Sequence, residues 1–261
     1  MPVRERAVNP LPRLVVRSLP MSTSLNHLEP VPWAIGFGHG AADGAYAMLK
    51  ERITTGAYRG GERLSIDALR GELGVSKQPI MEALRRLSAE GLVTIVPQVG
   101  CRVATIIHAD VIDFFAIMGA VEGAAAAMAA VRRTDAQLAD LAEVSQRIGA
   151  LVDVSDPRRR ADRYLVLNRR FHSLIHQMSG TAIVEQIGRG FYDRADFFIN
   201  GTANRSPMEG VVAERHADHE RIRAAVERGD ADAAAVEARS HILGTVALIE
   251  AALSLESAES A

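Results

Sequence analysis

The chain has 261 residues, 48% hydrophobic and 24% charged, with a formal net charge of -2 and a single cysteine, Cys101. One cysteine excludes an intrachain disulfide and a cysteine-rich zinc framework, and no run approaches the ~18 apolar residues of a membrane span. The length suits one large or two modest domains, a reducing, cytoplasmic setting is expected, and the near-neutral sum alone gives no sign of a polyanionic partner.

Divided along the chain, the charge is uneven. Residues 1–40 carry six of the ten prolines, four arginines and two glutamates, and residues 1–38 read as a disordered tail. Residues 41–107 sum to +2, with nine basic against seven acidic side chains, whereas residues 108–261 sum to -6. This asymmetry suits a small polyanion-facing module joined to an acidic domain.

From 41 to 54, Ala45, Met48, Leu49 and Ile53 recur at helical spacing, and Gly56 stops the helix. A glycine turn leads to a second helix ending near Leu73, with Ala68 and Leu69 inward, and Gly74-Val75 breaks it. Ser76 stands as N-cap of a third helix, in whose first turn Pro79 costs little. That helix runs to about Glu90, with Ile80, Leu84 and Leu87 on its inner face, and Gly91 ends it. Two β-prone runs, 92–96 and 100–104, flank Pro97-Gln98-Val99 and read as a hairpin. The order is that of a winged helix-turn-helix over 39–107, whose third helix would present its first turn to a major groove. The DNA-contacting candidates are Ser76, Lys77, Gln78, Arg85, Arg86 and, in the wing, Gln98.

From 108 to 255 the pattern is helical: 111–131, 135–152, 162–178, 182–198, 208–228 and 232–253, with Asp156-Pro157 opening a loop. The fold expected is mainly α, a winged helix-turn-helix followed by an antiparallel bundle of six to seven helices. Histidines gather in this part. Asn168, His172 and His176 share one helix face, and His216, His219 and His241 follow. Imidazoles from neighbouring helices with an oxygen donor can hold a divalent cation, although any one helical histidine is more often a packed or surface residue.

The segment from Tyr46 to Ala104 resembles the DNA-binding half of the GntR family of bacterial regulators. The shared landmarks are Gly56, Tyr58, Gly61 and Leu64, Leu69, Gly74-Val75-Ser76, Pro79, Glu82-Ala83-Leu84, Leu87, Glu90-Gly91-Leu92 and Gly100. Two positions depart from it: Lys77 and Met81 stand where the family usually has arginine, and lysine lacks the bidentate fork that reads guanine. The bundle resembles the FCD domain of the FadR branch, through Asn168, Phe171-His172, His219 with Ile222 and Gly229-Asp230, and His241.

The resemblance implies Asn168, His172, His219 and His241 as ligands of a divalent metal, zinc first with nickel or manganese as alternatives. His176 and His216 fall outside the spacing. It implies a ligand-responsive regulator, a repressor rather than an enzyme, binding double-stranded DNA as a homodimer and taking an organic acid as effector. Arg194 is a candidate for pairing with that acid, since the family's usual arginine four residues before Glu122 is Met118 here. Other readings are a metal-dependent hydrolase or oxygenase on a helical bundle, with no well-placed general base, and a regulator that senses the metal itself.

Overall fold

The computed structural model describes residues 40–201 and 207–259, so the expected tail lies outside the described residues. The N-terminal part contains α1 (Ala41–Thr54), β1 (Arg63–Leu64), α2 (Ile66–Leu73), α3 (Lys77–Ala89), β2 (Val93–Val96) and β3 (Gly100–Val103). The expected hairpin pairs β2 with β3, and a third strand too short to carry a sequence pattern, β1, adds to the far side of β3 in an antiparallel sheet. Leu49, Ile53, Ile80, Leu84 and Leu87 are fully buried beneath it, along with Cys101.

Local chemistry sets the helix ends. Ser65 accepts a bond from the Ala68 amide at the start of α2, and Gly74 closes that helix in a left-handed conformation at φ 64°. Ser76 occupies the N-cap of α3, but its side chain makes no capping bond.

Residues 104–107 lead straight into α4 (His108–Arg132), followed by α5 (Asp135–Gly149), a 3-10 turn (Ala150–Asp153), α6 (Pro157–Met178), α7 (Ala182–Asn200), α8 (Val212–Arg228) and α9 (Ala231–Glu259). The Asp156-Pro157 pair read as a loop is the start of α6. Asp156 accepts from the Arg158 and Arg159 amides, and Pro157 sits where its missing amide hydrogen costs nothing, so the helix begins five residues earlier than expected.

By length and composition α4 could cross a membrane, but it is the core helix of the bundle. It lies along α9 at close range because Gly123 faces it; a Cβ there would stand 2.9 Å from the Ala235 carbonyl.

Candidate metal centre and nucleic-acid interface

Three buried imidazoles converge from three helices: His172 on α6, His219 on α8 and His241 on α9. Each offers a ring nitrogen within 4.8 Å of the other two. Asn168, one turn before His172, lines the same cavity as His241, and its Oδ1 accepts from the Tyr164 hydroxyl at 3.2 Å. Packing fixes the His219 ring, stacked on Phe171 at 4.3 Å and on Tyr164 at 6.0 Å between centroids.

The other ring nitrogens meet carboxylates. His172 Nδ1 lies 3.0 Å from Glu122, and His241 Nδ1 lies 3.2 Å from Asp218. A protonated Nδ1 of His172 donating to Glu122 leaves its Nε2 with a lone pair, the arrangement by which outer carboxylates orient ligating histidines, whereas His241 Nδ1 also faces the Arg215 guanidinium at 2.9 Å. Among the buried polar atoms, His172 Nε2 and both nitrogens of His219 have no hydrogen-bond partner. Burial first, then neighbouring positive charge, holds His219 and His241 well below the usual imidazole range, which keeps them neutral. Unpartnered imidazole nitrogens with an amide oxygen beside them fit a divalent cation.

Glu122 is fully buried in α4. Besides His172 it meets His176 Nε2 at 2.7 Å and accepts from the Tyr192 hydroxyl at 2.9 Å. Burial alone would raise its pKa, but the two imidazoles outweigh that and hold it down at about 2. His176, outside the ligand spacing, is therefore a partner of the carboxylate that orients His172. Gly188 makes room for it, since a Cβ there would lie 2.2 Å from the His176 ring. The sequence signal for Glu122 was a single carboxylate within the apolar, alanine-rich stretch 114–131 of α4.

Arg194 stands apart from this cluster. From α7 its Nη1 donates to the main-chain carbonyls of Gly91 at 2.8 Å and Glu90 at 3.2 Å, at the end of α3. The cation on the cavity wall is Arg215, buried on α8, which donates to the Thr245 hydroxyl and the His241 carbonyl and pairs with Asp218 at 2.9 Å. Arg215 sits in a charge-rich run that gives it no distinguishing sequence signal.

Further contacts join α7 to the winged helix. Lys50 of α1 pairs with Asp193 at 2.5 Å and Glu90 at 3.0 Å, and the Asn200 amide donates to the Thr54 carbonyl at 2.8 Å. Residues adjacent on α7, Tyr192 and Asp193, thus touch Glu122 on one side and the DNA-binding half on the other.

On the winged helix, Ser76, Lys77 and Gln78 are exposed at the start of α3, and Gln98 is exposed in the wing turn at φ 64°. Arg85 is exposed as well, but Arg86 turns to α1, paired with Asp43 at 2.6 Å and 3.9 Å above the Tyr46 ring. Two basic residues were overlooked: Arg63 and Arg102, both exposed, lie directly opposite on β1 and β3. Like charges so placed repel unless an anion lies near.

The model of bacterial regulatory proteins of the gntR family matches residues 41–103, and that of the FCD domain matches residues 113–244. The transcriptional repressor GlaR of Escherichia coli (strain K12) is 26% identical over 80% of this chain and 95% of its own length. The transcriptional repressor RspR of the same strain is 29% identical over 61% of this chain and 64% of its own. In fold, the chain matches the solved structure of E. coli McbR/YncC with a TM-score of 0.66 at 20% identity, over 81% of this chain and 98% of that one. With a DNA-binding winged helix-turn-helix followed by an FCD domain, the chain belongs to the GntR family of transcriptional regulators and is not an enzyme.

Proposed function

We propose that the protein is a cytoplasmic, homodimeric repressor whose hold on its operator is set by a small organic acid bound beside a divalent metal in the FCD domain. The observation that carries this reading is the set of three buried imidazoles with nitrogens within 4.8 Å, two of them with unpartnered nitrogens. His172, His219, His241 and Asn168 would hold the cation, zinc being best suited to such a donor set. When bound, the cation supplies a Lewis-acidic anchor for an oxygen of the effector.

The residues around it translate occupancy into movement. Glu122 holds His172 and, through the Tyr192 hydroxyl, α7, and α7 holds the ends of α1 and α3. A change in the His172 setting therefore biases the pose of the groove-facing helix. Exposed Ile112, Ile117 and Val131 on α4, with Ile183 and Ile187 on α7, support a face for a second copy, and repression is supported by the two repressor-named relatives.

The test is a gel shift of promoter fragments from the protein's own locus at low salt, with metal analysis of the purified chain. Binding modulated by metal, and one metal per chain that is lost in His219→Ala, is the expected result. No binding with or without metal would sink the regulatory mode, and undiminished metal in His219→Ala would sink the ligand set.

A further inference from the structure

A second cavity lies where the winged helix meets the bundle, and no histidine is among its lining residues. It has a volume of about 590 Å³ and is walled by Lys50 of α1, by Glu90 and Leu92 around the end of α3, by Phe114 of α4 and by one face of α7. That size, at a junction between two domains, suits a small molecule. Tyr192, on the other side of α7, reaches Glu122 instead.

The walls divide into an apolar part and a cationic part. Half-buried Phe114 and Phe191 meet edge to face, 5.6 Å between centroids, near buried Leu92. Three cations stand against two acids, and Lys50 already holds both acids, Glu90 at 3.0 Å and Asp193 at 2.5 Å. Arg189, exposed, and Arg194, half-buried, form no ion pair among the described residues. Arg194 spends only Nη1, on the Gly91 and Glu90 carbonyls, and its charge is met only at longer range by Asp110. Burial holds its guanidinium below the ordinary value. The edge formed by Nε–H and Nη2–H stays free, and such a planar pair of donors takes a carboxylate in two parallel bonds.

Gly190 is an independent observation. It stands inside α7, where glycine is a poor helix former, without a positive φ, and a Cβ there would meet nothing within 4 Å. Packing within the described chain does not require a glycine there, and the space beside it is the cavity.

We infer that this junction cavity is a second ligand site, independent of the metal centre, and that it takes an aromatic carboxylate. The ring would lie against Phe114 and Phe191, and the carboxylate on the free edge of Arg194, with Arg189 adding the second positive charge. Glu90 and Leu92 belong to the DNA-binding half and the two phenylalanines to the bundle, so one occupant touches both.

The experiment is isothermal titration calorimetry of the full-length protein with naphthoate, in chelator and again at saturating zinc. Propionate, which lacks the ring, and naphthylmethylammonium, which lacks the negative charge, serve as controls. One naphthoate per chain is expected, with the same affinity in both conditions and at least about tenfold tighter than either control. Gly190→Leu fills the cavity from a position with room for a side chain, and is expected to weaken naphthoate binding about tenfold or more with helix content and thermal midpoint preserved. Arg189→Met, at an exposed position, is expected to weaken it about tenfold.

Absence of naphthoate binding, or native affinity kept in Gly190→Leu, would overturn the inference. Binding seen only at saturating zinc would move the ligand to the imidazole centre and overturn it as well. A Gly190→Leu chain with an altered oligomeric state would assign the cavity to a second copy of the chain, against the inference. Should that variant not fold, Arg189→Met decides, and undiminished affinity there overturns it. Naphthoate binding by a chain that takes up no zinc would sink the metal-site reading and support this one.

Discussion

Arg194 on α7 donates from Nη1 to the carbonyl of Gly91, 2.8 Å away, just past the end of the groove-facing helix α3. A cation at a helix C-terminus meets both the free carbonyls and the negative end of the helix dipole. Gly91 is adapted to it twice over: its φ of 72° favours glycine, and a Cβ would lie 1.9 Å from Nη1. The arginine expected to hold the effector thus holds the DNA-binding half against the FCD domain.

Arg194→Ala should therefore leave metal binding intact and uncouple it from DNA. The expected outcome is operator affinity that no longer responds to metal or acid, with a stability loss of about 1–2 kcal/mol from the missing carbonyl bonds. Gel shifts with and without metal, alongside urea unfolding, check both halves. A variant that kept the full response would show that the junction is passive.

Glu122→Gln tests the carboxylate that orients His172. Loss of an outer-sphere partner of this kind costs about 10- to 100-fold in metal affinity. The pH dependence has a definite sign. Because the folded-state pKa of Glu122 is held down at about 2, its contribution to stability is present above the ordinary carboxylate value and is lost as the pH falls from about 4.5 toward 2. Urea midpoints of the two proteins should therefore converge across that interval.

Arg63 and Arg102 face each other across β1 and β3, with Arg102 also opposite Thr94 of β2. A basic pair on the exposed face of the wing sheet is suited to a DNA phosphate. Arg102→Ala should weaken operator binding about uniformly across sequences and reduce the slope of log K against log salt by about one. An unchanged slope would place this face away from the duplex.

Most of the architecture was legible because it rests on short-range signals: helical spacing of Leu49, Ile53, Leu84 and Leu87, and glycines at Gly74, Gly91 and Gly229 that end their helices at positive φ. The three histidines could be named because FCD spacing is carried in the residues themselves. What escaped depends on contacts between distant segments. Nothing near Arg194 in the chain indicates that its partner is Gly91, 103 residues away, and nothing near Arg215 distinguishes it from Arg221 or Arg223, which stay at the surface with Glu237 and Glu227. The strand β1 escaped because two residues carry no alternation. The start of α6 was misplaced because Asp-Pro serves both as a loop signal and as an N-cap followed by proline.

His219 is the most exposed to test by substitution, because neither ring nitrogen has a partner and the ring is stacked between aromatic neighbours. In the metal-free protein it is a buried polar group with its hydrogen bonds unmet, which destabilises the fold. His219→Phe keeps the stacking and removes both orphaned nitrogens, so the metal-free variant should be more stable than the native chain by about 1–2 kcal/mol while binding no metal at this site. The pH sign follows from burial: the imidazoles of His219 and His241 stay neutral when folded, whereas the unfolded chain takes up protons below the ordinary histidine value. Stability of the metal-free native protein should therefore fall as the pH drops below about 6.5, by up to about 1.4 kcal/mol per pH unit for each group, and the variant should show the smaller slope. Chemical unfolding in chelator between pH 7.5 and 5.5 measures both, and a variant less stable than the native chain at every pH would mean that His219 has partners in solution and is not held open for a ligand.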